Sequence, residues 1–232
     1  MHDHLTLWLD DVPRDGALNM ALDEAMLLAA DGVWLRVYGW CVPTVSIGFS
    51  QPASVVPPEQ ASWPVVRRWT GGGVVIHDGD WTYTLAAPGG HPVSEQRAAE
   101  TYRWIHEAMI RALSAVGIPG GTLQPEHTSD GMGVCFAEPA RYDVVLDGRK
   151  IAGAAQRRVK AGFLHQGTLQ PVKPPAEFAA AFAGALAERV TLADASEVAR
   201  KLLPHAEELV RMKYGCPEWL QERSVRRADA AV

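Results

Sequence analysis

Three consecutive glycines at positions 71 to 73 constrain the fold of this 232-residue chain more than any other feature. The basic pair Arg67 and Arg68, followed by residues 69–70, precedes them, and the apolar residues 74–76 follow. Val65 and Val66 before this segment, and Val74 and Val75 after the glycines, predict two short buried strands. Because glycine has no Cβ, the connection between these strands can turn tightly and bring its backbone close to a ligand. The pattern predicts a binding loop, although a plain hairpin corner would use the same glycines.

A second segment, residues 147–158, joins a sharp turn to a strand of very small side chains. Asp147 and Gly148 form a preferred two-residue hairpin turn, and Lys150 follows at the start of the strand. Gly153 and Ala154 would leave room for a bulky ligand against the sheet. The glycine loop and the lysine together suggest a site for an acyl or acyl-phosphate group. Spacing alone, however, favours a surface lysine after a turn.

Composition and charge limit the kinds of molecule that this protein is expected to bind. Apolar residues make up 47% of the chain, which is enough for a substantial core. The net charge of -5 argues against nucleic acid, which needs a basic face, and against an anionic membrane surface. The N-terminus lacks the regions of a signal peptide, and no apolar run approaches the ~20 residues that cross a bilayer. We therefore expect a cytoplasmic protein that binds a small ligand or another protein.

The cysteines predict neither a disulfide framework nor a metal site. Cys41, Cys135 and Cys216 are widely spaced, and no C-x-x-C pair occurs. We expect three free thiols and no bound metal.

The hydrophobic pattern predicts one α/β domain in residues 1–232, with a core at about 5–190 and a helical C-terminal tail at 191–232. The first helix, at 16–30, is expected to carry Asp23 and Glu24 on its polar side. Ser94 is the expected N-cap of a helix that runs to about 116 and stops at Gly117. The chain from 174 onward is expected to be mostly helical. Strands are predicted at 5–9, 33–38, 42–47, 63–68, 74–77, 81–86, 142–146, 149–155 and 162–170.

Five segments in order resemble the lipoate-protein ligase and octanoyltransferase family: residues 19–24, 43–51, 67–78, 148–158 and 165–167. The likeness spans roughly residues 5–171. Biotin ligases share this fold, but residues 67–73 replace their Gly-Arg-Gly-Arg loop. The resemblance implies mixed, mainly antiparallel sheets covered by helices. It also implies transfer of an octanoyl or lipoyl group to one lysine of a lipoyl domain.

The resemblance maps Lys150 onto the family's acyl-binding lysine. His77 and His165 could act as bases, but we interpret His77 as an organiser of its turn and His165 as a residue lining the site. Arg68 could neutralise a carboxylate or phosphate, or be a plain surface cation. Tyr83 stays open between ligand contact and packing. The residues expected to bind the acyl group or adenylate are Arg68, Gly71, Gly72, Gly73, His77, Tyr83, Gly153, Ala154 and His165.

Cys135 separates two mechanisms within the family. It lies eight residues before Asp143, a spacing like that of octanoyltransferases that hold the acyl group as a cysteine thioester. A neighbouring Lys150 ammonium would favour the reactive thiolate, so the two residues would form a catalytic dyad. The structural alternative is a buried apolar cysteine.

Three functions remain open at this point, and the first is slightly favoured. It is octanoyl transfer from an acyl carrier protein thioester through Cys135, without ATP. Many ligases of the family carry a C-terminal accessory domain that aids adenylation. Only about sixty residues follow 165–167, which is too few for such a domain, so the length favours the transferase. The second is lipoate ligation with ATP and Mg²⁺, which the intact residues 67–73 favour. The third is a non-catalytic module that binds an acyl group or a lipoyl domain. The expected protein partner is a lipoyl-domain protein, either the glycine cleavage H protein or the 2-oxoacid dehydrogenase E2.

Overall fold

An eight-stranded sheet forms the centre of the protein in a computed structural model that describes residues 2–125 and 140–225. A three-stranded sheet packs beside it. Numbered along the chain, the strands are β1 (His2–Arg14), β2 (Trp34–Trp40), β3 (Thr44–Ile47), β4 (Val65–Arg67), β5 (Val75–His77), β6 (Trp81–Pro88), β7 (Thr122–Leu123), β8 (Val144–Leu146), β9 (Arg149–Val159), β10 (Gly162–Leu169) and β11 (Ala187–Leu192).

The large sheet has the strand order β11-β1-β2-β6-β10-β9-β8-β7. β1 pairs in parallel with β11 and β2, and the other five pairings are antiparallel. In the small sheet, β3 pairs in parallel with β4 and antiparallel with β5. The predicted class of mixed, mainly antiparallel sheets with helices is confirmed.

Helices and the small sheet cover the two faces of the large sheet. On one face, Ile105, Met109, Phe178 and Phe182 of two helices pack on strand residues such as Leu85. The opposite face is covered by the first helix, a later helix and the small sheet. The helices are α1 (Gly16–Ala29), α2 (Pro92–Glu95), α3 (Ala98–Ala115), α4 (Phe178–Leu186), α5 (Ala195–Leu209) and α6 (Pro217–Glu222), with a π-helical turn at Val210–Tyr214.

The start of α3 differs from the prediction because of local chain chemistry. Ser94 lies inside the short α2, where its hydroxyl donates to the backbone oxygen of His91, and α3 begins only at Ala98 after an Arg97 N-cap. Two strands, the short β7 and β11, were not predicted from the sequence, and β11 is the longer of the two. Its residues after Ala187 are exposed, and no glycine or proline separates it from α4, so its sequence reads as a continuing helix.

The acids of α1 are a second correction. Asp23 is 0% exposed and Glu24 is 7% exposed, so neither lies on a solvated face. Asp23 pairs with Arg36 at 2.7 Å and Glu24 with Lys213 at 2.6 Å. Buried carboxylates persist because cations on other elements pair with them.

The C-terminal helices pack into the body of the protein. The guanidinium of Arg67 donates to the backbone oxygens of Trp219 and Leu220, and the Trp219 indole donates back to the oxygen of Arg67 at 3.0 Å. Val198 and Leu202 of α5 join the buried cluster of α1. In the described part of the chain, no helix has the length and apolar character that crossing a bilayer requires.

Candidate functional site

A cavity that is open to solvent lies between the two sheets, next to the glycine loop. Its floor is a row of residues that face each other across four strands of the large sheet. Gly153 of β9 lies opposite Thr168 of β10, Thr168 opposite Thr82 of β6, and Thr82 opposite Tyr38 of β2. All four line the cavity. Because side chains alternate along each strand, this row shares one face of the sheet.

The Lys150 side chain lies on the same face of the sheet as Gly153 because β9 carries a bulge. Val144 of β8 lies opposite Ala152, and Val145 lies opposite Lys150, so β9 advances two residues while β8 advances one. The extra residue shifts the alternation of side chains along β9. The Lys150 side chain therefore lies over Gly153, where a Cβ atom would stand 2.6 Å from Cε and 2.8 Å from Nζ.

Asp143 holds the ammonium of Lys150. Its Oδ2 atom lies 2.7 Å from Lys150 Nζ, and both side chains are buried. Oδ2 also accepts from the N–H of Ala140 at 2.7 Å, and Oδ1 accepts from the hydroxyl of Tyr102 at 2.5 Å. The Tyr102 oxygen accepts in turn from the N–H of Ala154 at 2.9 Å. The position of the ammonium is therefore fixed from α3 and from β9 together.

Arg68 organises the glycine loop. Its guanidinium donates to the backbone oxygen and hydroxyl of Ser46 at 2.9 and 2.7 Å. It also donates to the backbone oxygens of Gly71 and Gly73 at 2.9 and 2.8 Å. The side chain is 6% exposed and lines the cavity, so it is not the surface cation that the sequence left open. A planar fork with five donors suits this set of diverging acceptors.

The loop approaches β9 closely at Gly72. A Cβ atom on Gly72, whose φ is +81°, would stand 3.3 Å from the Cβ of Ala155. On the other side, a Cβ on Gly48 would stand only 2.0 Å from the carbonyl oxygen of Gly72. Ala155 and Gly153 are two residues apart on one face of β9, a separation of about 7 Å. The Lys150 amine and the glycine loop therefore flank the same short stretch of strand.

His77 lies in a chain of hydrogen bonds between the two sheets. Its Nδ1 atom lies 2.8 Å from Asp80 Oδ2, and its Nε2 atom lies 2.7 Å from the hydroxyl of Ser46. Burial lowers the pKa of His77, although the hydrogen bond with Asp80 opposes the shift. The neutral ring donates from Nδ1 to the carboxylate and accepts from Ser46 at Nε2. Its ring is stacked on Trp40 with centroids 3.9 Å apart.

Asp23 joins the floor of the cavity to α1. Its two oxygens accept from Arg36, from the hydroxyls of Tyr38 and Thr84, and from the side-chain amide of Gln166. Burial and the nearby carboxylate raise the pKa of Tyr38, so its hydroxyl stays a donor. The polar side chains beneath the cavity thus form hydrogen bonds with one another through Asp23.

Two predicted binding residues lie on the opposite face of the large sheet. Tyr83 and His165 are 0% exposed, and the Tyr83 hydroxyl lies 3.0 Å from His165 Nε2. Their strands alternate, so both side chains point toward α3 while Thr82 and Gln166 face the cavity. Burial lowers the pKa of His165 well below its ordinary value. We therefore correct the prediction and assign neither residue a contact with the ligand.

The remaining predicted residues fall into three groups. Gly72, Gly153 and Ala154 line the cavity, as do Arg68 and His77. Gly71 and Gly73 support it through their bonds to Arg68. Cys135 lies outside the residues that the structure describes. Among those that it describes, no group of three or more His, Cys, Asp or Glu side chains could hold a metal ion.

Several residues of the cavity were not predicted from the sequence. Tyr38, Trp40, Ser46, Thr82, Gln166 and Thr168 all line it. The alternation of β6 and β10 is a signal for part of this set, because threonines or glutamine recur at every second position there. No comparable sequence signal marks Trp40 or Ser46.

Solved structures place this arrangement in a known fold. A putative lipoate protein ligase from T. acidophilum with bound lipoic acid superposes with a TM-score of 0.72 at 22% identity, covering 94% of this chain and 98% of that one. A lipoate-protein ligase A bound with ATP has a TM-score of 0.73 at 22% identity, covering 95% and 98%. At this identity the likeness establishes the fold alone.

The family model of the lipoyl protein ligase A/B catalytic domain matches residues 15–184. The chain belongs to this family. Octanoyltransferase LipM of Kyrpidia tusciae is 34% identical over 178 residues, which cover 70% of this chain and 65% of the relative. Octanoyltransferase LipM of Anoxybacillus flavithermus is 34% identical over 184 residues, covering 73% and 66%. The matched region thus spans about two thirds of the length of these curated relatives.

Proposed function

We propose that the protein transfers an octanoyl group from an acyl carrier thioester to a lysine of a lipoyl domain. The observation that carries the proposal is the Lys150 side chain, which lies over Gly153, a residue of the cavity lining, with its ammonium on Asp143. The similarity to octanoyltransferases named LipM supports this chemistry over other reactions of the family.

In the proposed reaction the cavity binds the acyl chain, and Lys150 binds its carbonyl oxygen. An acyl chain seated on the small residues of β9 would present its carbonyl oxygen to the Lys150 ammonium, which stabilises developing negative charge during attack. The glycine loop would cover the chain from above through Gly72. Buried, hydrogen-bonded donors cost little reorganisation during the reaction, so their fixed geometry supports catalysis.

Cys135 is the proposed nucleophile. Its sulfur attacks the thioester carbonyl, the bond from carbon to the carrier sulfur breaks, and the thiol proton leaves with the carrier. The amine of the acceptor lysine then attacks the new thioester, forms the amide, and returns a proton to the sulfur of Cys135. The ammonium of Lys150 would favour the thiolate in both steps.

Chain connectivity supports this pairing. The described chain resumes at Ala140, whose N–H binds the same Asp143 oxygen as Lys150. Asp143 is also bound by Gln124, which donates from its N–H to the backbone oxygen of Asp143 at 2.8 Å. Cys135 is five residues before Ala140 in the sequence, so the proposed nucleophile is near Asp143, the partner of Lys150, along the chain.

The proposed acceptor is a lipoyl domain, and the proposed donor is an octanoyl thioester of an acyl carrier protein. No ATP or metal enters this route. The solved archaeal ligase that was studied with its E2 lipoyl domain has the same fold, which supports a lipoyl domain as the partner. Location in the cytoplasm remains a prediction from the sequence.

A transfer assay separates the open functions. A purified lipoyl domain is incubated with the protein and octanoyl carrier thioester, or with lipoate, ATP and Mg²⁺, and its mass is measured. The proposal predicts modification with the thioester alone and its loss in Cys135→Ala. Modification that needs ATP and survives Cys135→Ala would instead establish a ligase, and no modification under either condition would favour a non-catalytic module.

A further inference from the structure

We propose that Lys213 is a positioning residue for the glycine loop, and that it acts through the ring of Trp69. The inference rests on the proposed function, because it takes residues 71–73 as the cover of the acyl chain. Lys213 lies beyond residues 15–184, which the family model matches. The contact therefore comes from the part of the chain that follows the matched domain.

Trp69 directly precedes Thr70 and the glycine loop, and both of its neighbours are held by backbone hydrogen bonds. The N–H of Arg68 donates to the oxygen of Ile47 at 2.9 Å. The oxygen of Thr70 accepts from the N–H of Phe49 at 2.8 Å. The Trp69 side chain packs against the buried cluster of α1, whereas Arg68 lines the cavity. Two consecutive side chains thus hold the loop, one from the cavity and one from α1.

Three aromatic rings lie within 5 Å of the ammonium of Lys213. Its Nζ atom is 4.2 Å from the centroid of Trp69, 4.5 Å from that of Trp219 and 4.9 Å from that of Tyr214. The residue is 5% exposed, so water competes little for the cation. A cation–π contact is strongest when it is desolvated and when the ring is a tryptophan. The shortest of the three contacts is the one with Trp69, the residue nearest the loop.

Glu24 of α1 holds this ammonium in place. Its Oε2 atom lies 2.6 Å from Lys213 Nζ and also accepts from the hydroxyl of Tyr214. Burial lowers the pKa of Lys213, and the Glu24 carboxylate opposes that shift. A buried ion pair contributes little net stability compared with apolar residues of the same volume. What the pair provides is a fixed position for the cation against Trp69.

A second cation reaches Trp69 from β9. The guanidinium carbon of Arg157 lies 5.5 Å from the centroid of Trp69 and 4.9 Å from that of Phe49. Arg157 is two residues after Ala155, the residue that Gly72 approaches. The Trp69 ring therefore connects the C-terminal segment to the glycine loop and to the strand beside it.

The loop depends on such anchors because its own residues are glycines. Glycine loses more conformational freedom on ordering than any other residue, so residues 71–73 adopt one conformation at a high entropic cost. An anchored neighbour reduces the ordering that is left when a ligand binds, and this strengthens binding. A loosened Trp69 should therefore weaken binding of the acyl chain and leave the reacting groups, Lys150 and Cys135, unchanged. Loss of binding that is equal in the ground and transition states raises KM without lowering kcat.

The test removes the ion pair without leaving a buried charge unpaired. The pair variant carries Glu24→Gln and Lys213→Met together, which keeps an oxygen acceptor for Tyr214 and removes the cation. It is made in the unchanged protein and in Trp69→Leu, which keeps an apolar side chain without the ring. Arg211→Met is the matched control, because Arg211 is a cation of the same π-helical turn with an exposed side chain. Octanoate binding is measured by calorimetry, and kcat and KM for octanoyl carrier thioester are measured in the transfer assay.

We expect the pair variant to weaken octanoate binding about tenfold and to raise KM by a similar factor, with kcat within about twofold. Arg211→Met should match the unchanged protein. In Trp69→Leu, the pair variant should change octanoate affinity by less than about twofold, because the ring through which Lys213 acts is gone. A pair variant that only lowers the melting temperature, or that weakens binding equally with and without the Trp69 ring, would overturn the inference.

Substitutions of Trp69 alone give an independent readout should the pair variant fail to fold. Trp69→Phe keeps a ring for the cation and should bind octanoate within about threefold of the unchanged protein, whereas Trp69→Leu should bind it about tenfold more weakly. Equal octanoate affinities in these two variants would show that the contact between Lys213 and the ring does not position the loop.

Octanoate binding separates this inference from the proposed function. If no thioester is transferred but the octanoate affinities follow the expected pattern, Lys213 positions the loop and the transfer proposal fails. If transfer proceeds and the pair variant binds and reacts like the unchanged protein, the transfer proposal stands and the positioning role of Lys213 fails. An unchanged protein that does not bind octanoate would also overturn the inference, even where transfer is observed.

Discussion

The side chain of Lys150 occupies the space that a Cβ atom on Gly153 would fill. Such an atom would stand 2.6 Å from Cε and 2.8 Å from Nζ, whereas real Cβ contacts are longer. The flexible end of the lysine could move aside, but only by shifting the ammonium. The identity of residue 153 therefore decides where the ammonium lies, although the residue has no reactive group.

Gly153→Ala should lower acyl transfer about a hundredfold while the protein stays folded. A displacement of about 1 Å at a catalytic group is enough for a loss of this size. The control is Gly184→Ala, where a Cβ meets nothing within 4 Å and alanine favours the helix. Rates and melting temperatures of both variants check the prediction, and full activity in Gly153→Ala would contradict it.

Lys150→Met should abolish transfer and also destabilise the protein by about 3 kcal/mol, because removing one partner leaves a buried carboxylate without its cation. Adding Asp143→Asn should recover much of the stability without recovering activity. Denaturant unfolding and transfer rates measured on the single and double variants check both expectations. Recovery of activity along with stability would show that Lys150 has a structural role only.

Arg68→Lys should weaken binding of octanoate at least tenfold and lower the free energy of unfolding by about 2 kcal/mol. Lysine keeps the charge but cannot reach the acceptors on Ser46, Gly71 and Gly73 at once. Arg103→Lys is the matched control, since the Arg103 side chain is 59% exposed. Equal effects of the two substitutions on binding would contradict the role of Arg68 in shaping the loop.

Stability should fall as the pH drops below about 6.5. Burial lowers the pKa values of His77, His106 and His165 in the folded protein, so the unfolded chain takes up protons that the folded protein does not. The stability present above the unfolded pKa is therefore lost as the pH falls toward the folded pKa values. Each neutral histidine contributes a slope of up to about 1.4 kcal/mol per pH unit.

The variant His165→Asn tests this assignment. Unfolding free energies measured between pH 7 and pH 5 should fall less steeply in the variant, because one fully buried ring with a lowered pKa is gone. A slope identical to that of the unchanged protein would show that His165 does not titrate differently on unfolding.

The sequence was most informative where backbone chemistry is local. The turn at Asp147 and Gly148 was predicted from two residues, and both adopt the positive φ values, 49° and 74°, that such a turn requires. The alternation of apolar residues also located most strands. These signals act within a few residues, so one sequence is enough to detect them.

The rest depends on partners that are distant in the sequence. Asp23 looks solvated within its helix, because its cation, Arg36, lies on a strand thirteen residues away. The bulge that turns Lys150 toward Gly153 arises from the pairing of β9 with β8, and nothing in residues 149–155 marks it. Tyr83 and His165 could have been assigned to the far face from alternation, had their strands been aligned with Gly153.

The central claim is that Cys135 carries the acyl group beside Lys150, and intact-mass analysis after mixing the protein with octanoyl carrier thioester tests it most directly. We predict a species heavier by one octanoyl group that hydroxylamine removes, that is absent in Cys135→Ala and that persists in Cys41→Ala. An unmodified mass under turnover with the thioester, or an adduct that survives Cys135→Ala, would contradict the account.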